Sequence, residues 1–101
     1  MNIIGNIIQF DDIHSRLNEY DLAEAERAEI VNIIEETLFH RFLDLVLTDL
    51  SIEDRVFVLE KISAGDHITI IEFIKEKKPD ASDVITRELG LLKQELLAEL
   101  T

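Results

Sequence analysis

The 101-residue sequence contains no cysteine and no tryptophan, and it has only one proline and three glycines. Without cysteine there are no disulfides, no thiolate nucleophile and no cysteine-ligated zinc or iron–sulfur site. The glycines, Gly5, Gly65 and Gly90, are isolated from one another, so no glycine-rich phosphate loop is present. The sequence therefore gives no support to a disulfide-stabilised secreted domain, a thiol enzyme or a nucleotide-binding loop.

Positive charge is also scarce. Ten basic residues stand against 22 acidic ones, which gives a net charge of −12. This charge repels nucleic acids and anionic lipids, so we expect no direct binding to DNA or RNA. Two interpretations stay open: the charge only keeps the protein soluble, or it recognises a basic partner surface, in the extreme case by mimicking a phosphate backbone.

Long apolar runs are absent as well. No stretch approaches the roughly 20 apolar residues of a membrane span, and the N-terminus lacks the basic start and cleavage site of a signal peptide. We therefore expect a cytoplasmic protein. Its length and its hydrophobic fraction of 47% predict a single domain over 1–101, with an apolar arm and short helix in 1–20 and a helical core in 21–101.

The strongest pattern predicts a long central helix over about 22–49. Asp21 is a predicted N-cap, with Glu24 in the first turn. Apolar residues then recur at steps of three and four, at Val31, Ile34, Leu38, Phe42 and Leu45, and others widen this face to Ile30–Leu47. We expect the following helices to bury the broad face, and the thin polar stripe from Glu29 to Asp44 to be exposed and without a chemical role.

Shorter helices are predicted on both sides of the central one. The isoleucine-rich residues 2–20 form an apolar arm and a helix at about 12–19, and the arm either packs on the core or docks on another subunit. Ser51 caps a helix over about 52–63, with Val56, Leu59 and Ile62 on one face.

Two further helices complete the predicted chain. Gly65 ends the helix that Ser51 caps, and a helix over 67–77 follows and stops before Pro79. Asp80 or Ser82 caps the last helix, in which Gly90 suggests the close approach of a neighbouring helix. The predicted fold is all-α, a compact bundle of four to five helices around the long one.

Few residues are candidates for chemistry. Glu36, His40 and Asp44 share one helical stripe and can hold a cation, or form an ordinary solvated surface. No Glu-x-x-His pair occurs to complete a metal centre of the helical-bundle type. The cluster Lys75, Lys77 and Lys78 either balances a helix dipole or docks an acidic partner. We assign no catalytic, cofactor-binding or metal-binding residue, expect no cofactor and expect no enzymatic activity.

The order of caps and turns resembles a known family. The chain reads YDLAEAERAEIV at 20–31, LSIEDR at 50–55, ISAGD at 62–66 and KKPDASDVI at 77–85, before a closing helix rich in leucine, lysine and glutamate. This order is similar to that of a family of small acidic helical proteins of unknown function found in bacteria of the candidate phyla radiation. The resemblance covers about 21–97, and the first twenty residues match least. It implies a small helical fold and a bacterial source, and it brings no activity, ligand or catalytic residue.

These features predict a non-enzymatic protein–protein interaction module or accessory subunit. The surplus apolar residues of the N-terminal arm and the last helix make these segments the candidates for contact with a protein partner, or for self-association. One alternative is an acidic inhibitor or nucleic-acid mimic that binds a basic protein surface. The other is a small helical metal-binding protein that uses Glu36, His40 and Asp44.

Overall fold

Five α-helices and one short 3-10 helix make up the described part of the chain. The computed structural model describes residues 3–99, except for the side chain at position 6. The 3-10 helix is Ile3–Asn6, and the α-helices are α1 (Asp11–Leu17), α2 (Glu24–Leu47), α3 (Ile52–Ala64), α4 (His67–Lys77) and α5 (Ala81–Glu99). No strand occurs within residues 3–99, and the predicted all-α bundle of four to five helices is confirmed.

The long helix α2 is shorter at both ends than the predicted 22–49. Its N-cap is Ala23, whose backbone N–H donates to Glu26 Oε1 at 3.3 Å. The prediction that Asp21 caps this helix is therefore wrong, and Asp21 lies exposed in the preceding loop. At the other end Asp49 has φ of 65°, in the left-handed region, so the right-handed helix cannot continue through it.

A row of four side chains on α2 forms the centre of the core. Ile34, Leu38, Phe42 and Val46 follow at steps of four and are all at most 4% exposed. The helix that packs most on α2 is α5. The two run antiparallel, since Lys78, before α5, contacts Thr48 and Glu88, within α5, contacts Arg41. Arg41 Nη2 lies 3.5 Å from Glu88 Oε2, and these two exposed or half-buried side chains link the helices beside the core.

The N-terminal residues complete this core. Ile3 and Ile4 are 1% and 0% exposed, and the 3-10 helix that contains them packs on α2. Ile8, Ile13 and Leu17 are buried in the same cluster as the side chains of α2 and α5. Of the two predicted roles of the arm, the structure shows packing on the core for the described residues Ile3, Ile4 and Ile8.

The prediction for the broad face of α2 is only partly confirmed. Its central row is buried, but Ile33 remains 56% exposed. The partners also differ from the prediction, because α2 packs mainly on α5 and the 3-10 helix, whereas α3 packs mainly on α4. The three helices that follow α2 therefore do not share its broad face equally.

The predicted boundaries of α3 and α4 are confirmed almost to the residue. Ser51 Oγ accepts a hydrogen bond from the Asp54 N–H at 3.2 Å, which caps α3. Gly65 has φ of 72° and ends the same helix in the left-handed conformation that glycine adopts without strain. Asp66 then caps α4 by accepting from the Thr69 N–H.

The prediction for the last helix is partly confirmed. α5 begins at Ala81, directly after Asp80, so of the two predicted caps Ser82 is excluded because it lies inside the helix. The close approach expected at Gly90 is also absent, because a Cβ built there meets no atom of the described residues within 4 Å. The expectation was wrong because a glycine within a helix is compatible with open space as well as with tight packing.

None of the helices within residues 3–99 combines the length and the apolar composition needed to cross a membrane.

Replacing Ile4 by alanine tests the packing of the N-terminus on the core. Because Ile4 is 0% exposed, we expect the free energy of unfolding to fall by about 2–5 kcal/mol. The matched control is Ile33→Ala, which should change the free energy of unfolding by no more than about 0.5 kcal/mol because Ile33 is largely exposed. Urea unfolding followed by circular dichroism measures both, and equal losses would contradict the described burial.

Replacing Gly90 by alanine tests the open space beside α5. Since nothing obstructs a Cβ there, the higher helix propensity of alanine should raise the free energy of unfolding by about 1 kcal/mol. Gly65→Ala is the control and should lower it by about 1–2 kcal/mol, because its φ of 72° is unfavourable for a residue with a Cβ. Destabilisation by Gly90→Ala in thermal unfolding would show a close neighbour at that position.

Candidate interaction surface

The histidine stripe predicted as a possible cation site lies on the surface. Glu36, His40 and Asp44 are exposed along one side of α2, as expected of a solvated stripe. Among residues 3–99 no group of three or more histidine or carboxylate side chains is arranged to hold a metal ion. The side-chain geometry therefore gives no support to the metal-binding alternative.

The lysine cluster is partly engaged in holding the helices together. Lys78 Nζ donates to the Thr48 carbonyl oxygen, just after the end of α2. Lys75 and Lys77, in the last turn of α4, are exposed and lie where positive charge stabilises the helix dipole. One of the three lysines thus has a structural role, and the other two fit the dipole interpretation.

The negative charge is concentrated at one end of the molecule. Arg27 in α2 donates to the His14 carbonyl oxygen at 3.0 Å, and Lys93 in α5 lies 3.1 Å from Asp12. These contacts bring together α1, the first half of α2 and the end of α5. The stretches 11–36 and 93–99 contain 11 acidic and three basic residues, whereas 37–92 contains 11 acidic and seven basic residues. The net charge is therefore −8 in the first set of residues and −4 in the second, although the two have equal numbers of acidic residues.

The surface hollows offer little to a small ligand. The hollows among the described residues have volumes of about 240–360 Å³. These volumes are at or below the lower end of the roughly 300–1,000 Å³ of ordinary small-molecule sites. The hollow between α2, α4 and α5 is lined by Phe42, Ile85 and Lys75. The Thr86 hydroxyl beside it already donates to the Ser82 carbonyl oxygen at 3.0 Å. We find no convergence of polar groups there that would fix the orientation of a ligand.

One helix exposes a continuous apolar stripe. Ile52, Val56 and Leu59 of α3 are 79%, 47% and 45% exposed. Their spacing of four and three places them on one side of the helix, and the exposed Ser63 continues the line. The other large exposed apolar side chains among the described residues are distributed over α2, α4, α5 and the loop before α2: Tyr20, Ile33, Ile68, Val84 and Leu91. We call Ile52, Val56 and Leu59 the α3 stripe.

The opposite side of α3 holds the helix firmly in place. Val58 is fully buried, and the ring of Phe57 lies 5.2 Å from that of Phe73 in α4. Lys61 Nζ lies 5.5 Å above the Phe57 ring and adds a cation–π contact. The α3 stripe is therefore presented on a helix that is packed from behind.

The turn after α3 is fixed by a charged cap. Hydrogen bonds from the Thr69 hydroxyl and backbone N–H hold the pKa of Asp66 below its ordinary value, with smaller help from Lys61 and His67. The resulting stabilisation is present above the pKa of the unfolded state and is lost as the pH falls through the lowered pKa. At neutral pH the Asp66 carboxylate is therefore ionised and caps the first turn of α4.

The sequence placed Val56, Leu59 and Ile62 on one face of α3 but did not determine which face is buried. The structure buries Val58 and exposes Val56 and Leu59. Only Ile62 of the predicted set is partly covered. The available signal was the number of apolar residues on α3, which exceeds what one face of a helix can bury against a single neighbour.

Comparisons with protein-family models, with curated proteins and with solved structures found no match for this chain. The resemblance to small acidic helical proteins thus stays a prediction, and any function has to be argued from the surface itself.

Proposed function

We propose that this chain is a non-enzymatic protein–protein interaction module and that α3 carries its docking surface. The observation that supports this proposal most is the α3 stripe, an apolar line on a helix whose other side is already packed. Exposed apolar side chains are common singly, but an aligned set on one helix is typical of a binding face. Helix-on-helix docking uses anchors at such spacings.

The proposed docking segment is α3, in place of the N-terminal arm and the last helix that the sequence suggested. In the N-terminal arm Ile3, Ile4 and Ile8 are buried within the chain and Ile7 is partly buried, so the arm offers little apolar surface to a partner. On the last helix Val84 and Leu91 are exposed but are seven residues apart with no exposed apolar residue between them. The α3 stripe is a better candidate than either, because its three side chains are adjacent along the helix.

The charge asymmetry favours a second candidate function. The acidic end formed by α1, the start of α2 and the end of α5 has the surplus of carboxylates that a basic protein surface would recognise. In this alternative the protein is an acidic inhibitor or nucleic-acid mimic. The two candidates use different parts of the molecule, so one experiment separates them.

Photo-crosslinking in the native host provides this test. A photoreactive amino acid replaces Val56 in the α3 stripe, Glu29 at the acidic end, or Ile33 as a control of similar exposure on α2. We expect discrete protein adducts from position 56 and none from position 33. Adducts from position 29 that disappear at high salt would instead support the acidic alternative. No adduct from position 56, or the same adducts from 56 and 33, would contradict the proposed docking surface.

A further inference from the structure

We propose that the partner of the α3 stripe is a second copy of this chain, and that the two α3 helices pair in parallel about a two-fold axis. This inference rests on the proposed function, because it names the occupant of the same surface. It is carried by three features of α3: the spacing of its exposed apolar residues, the charges along its two edges, and the lack of ion-pair partners for those charges in the part of the chain that the structure describes.

The spacing matches a coiled-coil seam. Ile52, Val56 and Leu59 occupy successive d, a and d positions of a heptad, and the exposed Ser63 occupies the next a position. A β-branched residue at a with leucine at d favours two-stranded pairing over higher oligomers. The buried Val58 lies at c, on the far side of the seam, so the packing of α3 against α4 does not obstruct it.

The charges at the edges select the parallel orientation. Arg55 lies at the g position on one edge of the α3 stripe, and Glu60 lies at the e position on the other edge. In a parallel pair the g residue of one helix lies beside the e residue five positions later in the other helix. Arg55 of each copy therefore meets Glu60 of the other, which gives two ion pairs. In an antiparallel pair Arg55 would instead meet Arg55 of the other copy and Glu60 would meet Glu60, so charges of the same sign would lie together.

Neither of these charges has an ion-pair partner among residues 3–99. Arg55 has no acidic residue three or four positions away on its helix, and Glu60 has no basic residue at those distances. Neither side chain takes part in an ion pair among the described residues, where the three ion pairs are Arg16–Glu19, Arg41–Glu88 and Lys93–Asp12. Both are exposed and available to a second copy.

The location of α3 also limits repulsion between two acidic chains. The helix has three acidic and two basic residues, in contrast to the 11 acidic and three basic residues of 11–36 and 93–99. Two copies that meet through α3 thus avoid direct contact between their acidic ends. Repulsion between two chains of net charge −12 still opposes association, so moderate salt should strengthen the dimer by screening it.

Sedimentation equilibrium over a concentration series tests this pairing. Because the seam is shorter than two heptads, the series extends to about 1 mM. We expect the mass to rise from 11.6 kDa toward twice that value. Val56→Asp should weaken association by at least about tenfold, whereas Ile33→Asp, a substitution of similar exposure on α2, should leave it unchanged.

A charge exchange tests the orientation. Arg55→Glu alone and Glu60→Arg alone each place equal charges opposite one another and should weaken the dimer roughly tenfold. The double variant restores opposite charges and should return the dissociation constant to within about threefold of the original. Circular dichroism checks that each variant keeps its helical content.

Three results would overturn the inference: a mass of one chain at every concentration, a dimer unaffected by Val56→Asp, or a double variant no better than the single ones. If the chain is monomeric but position 56 still crosslinks to another protein, self-association is ruled out and the proposed docking function stands. Absence of any adduct at position 56, including one between two copies, would remove both.

Discussion

The antiparallel packing of α2 on α5 is the contact on which the rest of the structure depends. The row Ile34, Leu38, Phe42 and Val46 is buried, and α2 packs mainly on α5 and the N-terminal 3-10 helix. Burial of four such side chains contributes roughly 1.5–3 kcal/mol each before entropy is subtracted. α3 packs mainly on α4 and contributes Val58 to the same core cluster. The side of α3 that carries the α3 stripe is left exposed.

This arrangement separates two kinds of surface. The acidic end lies where α1, the start of α2 and the end of α5 meet, as the contacts of Arg27 and Lys93 show. The α3 stripe belongs to the middle of the chain, whose acidic and basic residues are closer to balance. The docking face that we propose thus belongs to the more neutral part of the chain and not to the acidic end.

Local signals in the sequence predicted much of the fold, and the failures have physical causes. Ser51, Gly65 and Asp66 determine helix ends through their own hydrogen bonds and dihedral angles, so their roles could be predicted from neighbouring residues. Asp21 has the same chemistry but does not cap α2, because Glu26 reaches back to the Ala23 N–H and the helix begins later.

The inward face of α3 could not be derived in this way. Val58 with Ile62 and Val56 with Leu59 both follow helical spacing, and only the position of α4 decides which pair is covered. Tertiary packing, which periodicity does not encode, therefore determined the candidate surface.

Single-cysteine oxidation is the most direct measurement of the claim that α3 is an open, self-complementary face. The chain has no cysteine, so Val56→Cys introduces one thiol, and in a parallel pair it lies opposite its own counterpart at the a position. Mild oxidation at increasing protein concentration should give a disulfide-linked dimer with Val56→Cys and none with Ile33→Cys. A Val56→Cys chain that stays monomeric, or that crosslinks no faster than Ile33→Cys, would contradict the account.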